Sequence, residues 1–81
     1  MRRFKFYAVF DYAEDGISIS FPDLPGCLSC GYSTEEAIQM AKEALQLYLK
    51  DMNEKNIPQP SNKDFIENNL KTNQKIYCIE A

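Results

Sequence analysis

Apolar and polar side chains alternate from Arg3 to Asp11, with Phe4, Phe6, Ala8 and Phe10 on one face and Lys5, Tyr7 and Val9 on the other. That period of two predicts a strand. Ala13-Glu14-Asp15-Gly16 follows as a turn with Asp-Gly at its end, the strongest short-range signal for a hairpin. In the returning strand Ile17, Ile19 and Phe21 face the core, while Ser18 and Ser20 face out. Pro22 and Pro25 each lack a backbone N–H and hold φ near about −65°. Pro22-Asp23-Leu24-Pro25-Gly26 therefore cannot continue as a paired inner strand. Leu28 to Tyr32 is long enough for a short third strand beside the first two.

The pattern then becomes helical. Ser33 and Glu36 have capping-box spacing: the serine oxygen accepts from the N3 amide, and the glutamate reaches back to the cap amide. Ala37, Ile38, Ala41, Ala44, Leu45, Tyr48 and Met52 recur three and four apart as one apolar stripe. Glu35, Gln39, Lys42, Glu43, Gln46, Lys50 and Asp51 cover the other side. A helix is predicted from about Thr34 to Asn53, about 30 Å long at a rise of about 1.5 Å per residue. Asn56 to Ser61 carries two prolines and reads as an extended connector. Ser61 can cap a short helical turn through Phe65, Ile66 and Leu70. Lys75 to Ile79 reads as a last strand, with Ile76 and Cys78 on one face and Tyr77 and Ile79 on the other. The expected fold is α+β in the order β-β-β-α-β: a three- to four-stranded, mainly antiparallel sheet with one main helix on one face.

The chain has 81 residues, room for a single domain over 1–81. So small a core invites self-association, and a homodimer or higher oligomer is expected. Nine Lys and Arg against twelve Asp and Glu give a net charge of −3. That disfavours nucleic acid as the ligand, because phosphate binding needs a basic field, and it suits a basic protein partner. No apolar run is long enough to span a bilayer, and no signal-peptide pattern opens the chain, since Lys5 breaks the run behind Arg2 and Arg3. A cytoplasmic protein without membrane contact is expected.

Cys27-Leu28-Ser29-Cys30 invites zinc or redox chemistry. A closed zinc site needs four ligands, and the chain has no histidine and one further cysteine, Cys78. A thioredoxin-type pair sits at a helix N-terminus, whereas here the helix starts after Ser33. Cys27 reads as a small apolar plug and Cys30 as its incidental neighbour. Asp11, Glu14, Asp15 and Asp23 are the candidates for a two-metal nuclease, but the first three flank or occupy the hairpin turn, where acids are common turn formers. Without histidine a hydrolytic triad has no base. No catalytic residue, metal or cofactor is expected. Two readings of Asp23 stand together: a cap on its own turn, or a contact for a cationic side chain. Phe4, Tyr7 and Phe10 are open between core and a second copy, since a first strand is often an edge.

Tyr7-Ala8, Asp15-Gly16, Phe21-Pro22-Asp23-Leu24-Pro25-Gly26-Cys27, Gly31, Thr34 with Glu36-Ala37, Ala41, Glu43-Ala44-Leu45 and Ile57-Pro58 together resemble the HicB family of toxin–antitoxin antitoxins. The resemblance implies a small, degenerate RNase H-like domain that neutralises HicA, a basic mRNA interferase with a catalytic histidine. It implies docking of the loop over the toxin's cleft through Asp23, Leu24, Pro25, Gly26, Cys27 and Ser29. Asp23 is then the charged contact and Leu24 the apolar anchor, with Pro22, Pro25 and Gly26 holding the loop's shape. Family members often add a second, DNA-binding domain that represses their own operon. No basic recognition helix follows the last predicted strand, so operator binding is expected only with a further C-terminal domain. Two alternatives remain: a stand-alone domain with residual metal-dependent nuclease activity, and an interaction domain for a different protein.

Overall fold

The computed structural model describes residues 4–50 and 52–80. Arg2 and Arg3 of the N-terminal reading and Asp51 of the helix pattern lie outside the described residues. The elements are β1 (Lys5–Ala13), β2 (Gly16–Ser20), β3 (Leu28–Gly31), α1 (Thr34–Lys50), a 3₁₀ turn (Glu54–Asn56), α2 (Lys63–Glu67) and β4 (Gln74–Glu80). The four strands form one sheet in the order β3-β2-β1-β4, antiparallel throughout. The expected α+β order and the hairpin are both present. Ala13 pairs with Gly16 across a two-residue Glu14-Asp15 loop.

Strand alternation sorts the two faces. Phe6, Ala8, Phe10, Ile17, Ile19, Phe21 and Ile79 meet Ala37, Ala41 and Leu45 of α1 in one core. Phe10 also packs on Tyr77, with ring centroids 4.5 Å apart. The small residues Ala37 and Ala41 let the helix lie close to the sheet. At Gly31 the approach is closest: a Cβ there would fall 2.8 Å from the backbone of Ala37. Any side chain at 31 would push α1 off β3.

Four expectations change. β1 is an inner strand, because β4 returns from the far end of the chain to pair along its whole length. Phe10 is accordingly core, Phe4 packs against that core, and no free first strand is left for a second copy. The capping box forms with a shift: Ser33 Oγ accepts from Glu36 N–H at 3.1 Å, but Glu36 takes the amide of Tyr32 at 2.9 Å, one residue before the cap. The helix is described through Lys50 and does not reach Asn53; Met52 N–H bonds back to the Leu49 carbonyl at 3.1 Å, and Asn53 begins the next turn. Asn62, not Ser61, caps α2, accepting from Asp64 N–H at 2.9 Å. Ser61 is engaged elsewhere.

Candidate functional site: the segment from Phe21 to Tyr32

The path from β2 to β3 is two β-turns that share one residue. Leu24 N–H donates to the Phe21 carbonyl and Cys27 N–H to the Leu24 carbonyl, each at 3.0 Å. Both turns have proline in the second position, where its fixed φ fits. In the second turn Gly26 follows Pro25 with φ of +85°, the type II pattern, which an L side chain reaches only with strain. Phe21 N–H bonds the Cys27 carbonyl at 3.3 Å, so the double turn closes onto the ends of its own strands. Two further links hold it. Tyr48 Oη of α1 donates to the Pro25 carbonyl at 2.9 Å. The Asp23 carboxylate accepts from both the amide of Ser61, at 2.8 Å, and the Ser61 hydroxyl.

This geometry redistributes the expected contact residues. The corner residues Phe21, Leu24 and Cys27 are 3%, 1% and 3% exposed, all within the main core. Leu24 is thus a core side chain and not an exposed anchor, and Cys27 shows no side chain to a partner. Cys27 does fill the role of an apolar plug. Its thiol lies 3.7 Å from the Ala44 carbonyl, and burial pushes its pKa up. Asp23 is half-buried and fastens the loop to the connector, in place of either capping its own turn or standing free. Pro22, Pro25 and Gly26 are exposed, Ser29 is half-buried, and Cys30 is exposed. Sequence reasoning left out Tyr48 as the loop's brace, and left out Leu28 and Tyr32, which are 67% and 85% exposed. Two signals were there to find them: the Phe21, Leu24, Cys27 spacing of three under the prolines, and the Leu28, Cys30, Tyr32 spacing of two.

Along the sequence the charge around the site is one-sided, while Lys75 of β4 lies 5.6 Å from the ring of Tyr12. From Phe6 to Ala41 there is no Lys or Arg, while Asp11, Glu14, Asp15, Asp23, Glu35 and Glu36 all fall within it. These carboxylates are spread out. Asp11 accepts from Asn73 Nδ2 at 2.6 Å and Gln74 Nε2 at 3.0 Å, whereas Asp23 is held by Ser61. Among the described residues no three of His, Cys, Asp and Glu gather as a metal-holding group, and no helix is long and apolar enough to cross a membrane.

Residues 7–79 match the HicB-like antitoxins of bacterial toxin–antitoxin systems. The chain belongs to this family. It is 33% identical over 72 residues to Antitoxin HicB 1 of Photorhabdus laumondii, covering 84% of this chain and 46% of that relative. The chain spans about half the length of the curated relatives it matches. Among solved structures it superposes on a chain of the toxin–antitoxin complex from Streptococcus pneumoniae with a TM-score of 0.81. That match has 22% identity and covers 98% of this chain and 69% of the other. It also superposes on a chain of the HicA3 and HicB3 toxin–antitoxin complex with a TM-score of 0.66 and 14% identity, covering 94% and 95%. At these identities the shared property is the fold alone.

Proposed function

We propose that this HicB-like chain is an antitoxin that binds a small basic toxin of the HicA type and covers its active site, acting by stoichiometric binding without turnover. The family match across 7–79 carries the reading. The unbroken negative charge of residues 6–41 supports it, since a field of one sign draws in a basic partner and raises the association rate. The braced loop presents Pro22, Pro25 and Gly26 on a fixed frame, so little freedom is lost when a partner settles on it. Ser29 follows on β3, half-buried opposite Ile19. Asp23 holds the frame by its link to Ser61, and Leu24 and Cys27 support it from beneath.

The test is co-expression with a HicA-type toxin, taken from beside this gene if a small basic open reading frame lies there, followed by titration of the purified pair. Growth should be restored, and the association rate should fall as salt rises. A chain that neither rescues growth nor binds that protein at low salt ends the reading. Capture of an unrelated protein in its place would favour an interaction domain for another partner.

A further inference from the structure

The outer side of β3 is an open sheet edge. The Phe21–Cys27 bond sets the alternation, and the register continues through Ile19 with Ser29 and Ile17 with Gly31. Cys27, Ser29 and Gly31 therefore turn their main-chain groups toward β2, while Leu28 and Cys30 turn theirs outward. The next outward amide, that of Tyr32, is already taken by Glu36. Among the described residues the N–H and C=O groups of Leu28 and Cys30 have no partner. Leu28, Cys30 and Tyr32 are also exposed and two residues apart, so a short apolar ridge follows the open edge. At its far end Tyr32 lines two hollows of about 310 and 220 Å³; Asp15 lines both, and Glu14 the larger.

β4 is an edge as well; α2 lies near it, and Glu80 at its end pairs across the sheet with Lys5 of β1 at 3.7 Å. The edge at β3 sits inside the segment that has carboxylates and no cations. Two copies joined there would bring like charge against like charge. A cationic partner meets the carboxylates Glu14 and Asp15 there, with Lys75 over the Tyr12 ring beside them.

From this we infer that the outer edge of β3 accepts an extended segment of the basic partner as a fifth strand. Its main chain bonds Leu28 and Cys30, its apolar side chains pack on Leu28 and Tyr32, and a Lys or Arg reaches the hollows beside Glu14 and Asp15. Strand addition of this kind takes affinity from main-chain bonds and selectivity from the alternating side chains. The inference rests on the proposed antitoxin role and adds where, and in what conformation, the toxin binds.

The experiment compares Cys30→Pro with Cys30→Ala in titrations of the full 81-residue chain against the HicA-type toxin that it binds. Proline at 30 deletes an outward amide and leaves the β2–β3 bonds in place, a position where edge strands accept it. Cys30→Pro should weaken binding by roughly tenfold or more, and Cys30→Ala by about threefold at most, with thermal unfolding little changed in either. In the wild-type complex the Leu28 and Cys30 amides should gain protection from hydrogen exchange, and that readout decides the matter if the proline variant does not fold. Equal binding by a folded Cys30→Pro chain, or unprotected amides at 28 and 30 in the complex, overturns the strand inference and leaves the antitoxin reading standing. A change in self-association with unaltered toxin affinity overturns it in favour of a second copy. Absence of toxin binding by the wild-type chain sinks both.

Discussion

Two proline pairs in this chain have opposite structures. Pro22 and Pro25 stand three apart and fold into consecutive turns, with three main-chain hydrogen bonds and three buried corner residues. Pro58 and Pro60 stand two apart, and among the described residues no main-chain hydrogen bond involves Ile57 to Pro60. That connector is a strap, held by Ile57 against the core at one end and by Ser61 on Asp23 at the other. Spacing decides between them. Three residues return the chain to the second position of a new turn, whereas two keep it extended. The loop is therefore part of the core with an exposed crest, while the strap depends on the loop for its anchor.

The sharpest way to break that comparison is Leu24→Ala. Removing a fully buried leucine costs about 2–5 kcal/mol, a large share of what an 81-residue domain has in total. Denaturant unfolding should show the loss, with partner binding failing only as far as the fold does. Near-normal stability combined with lost toxin binding would make Leu24 a contact after all, and the loop a surface feature like the strap.

The contrast also shows what was legible beforehand. The hairpin, the helix stripe and the last strand follow from periodicity, which is local, and the structure keeps them, with Met52 alone of the stripe falling beyond the helix. Pro22 and Pro25 announce a break in the strand, and the break is there. Their consequence for Leu24 is not legible, because a side chain's direction in a turn depends on φ and ψ at its neighbours and not on polarity. Asp23 meets Ser61, 38 residues away, and β4 settles on β1 from further still. Nothing in either residue's own neighbourhood announces such a partner. Asn62 and Ser61 are both good caps by type, and only the claim of Asp23 on Ser61 decides which one serves α2. The missing cations between Lys5 and Lys42 were plain in the sequence, but net charge alone hid their distribution.

A double-mutant cycle on Asp23 and Ser61 measures how far the strap leans on the loop. Asp23→Ala and Ser61→Ala should each cost about 1–2 kcal/mol, the range for a partly exposed hydrogen bond to a carboxylate. The double variant should lose much less than the sum, because one link is being removed twice. Proteolysis should then cut near Gln59 first, with the Pro22–Gly26 turns still closed. Additive losses would mean that Asp23 and Ser61 stabilise the chain separately and that the strap has another anchor.

The smallest effect is carried by Cys27, whose sulfur reports on the loop from inside. Cys27 is buried while Cys30 and Cys78 are exposed, so an alkylating reagent near pH 8 should modify two thiols quickly and the third slowly. The slow rate measures how often the double turn opens, and Ser61→Ala should leave it nearly unchanged if the loop stands without the strap. Alkali supplies a second handle. Burial raises the Cys27 pKa, so the folded chain favours the neutral thiol. Its stabilising share is complete below the unfolded thiol's pKa of about 8.5 and is lost as pH rises through the folded value. Stability should therefore decline on the alkaline side more gently in Cys27→Ala than in wild type. Were Cys27 to label as fast as Cys30 in the folded chain, the double turn would be as open as the strap. The spacing of its prolines would then explain nothing about the rigidity of the crest.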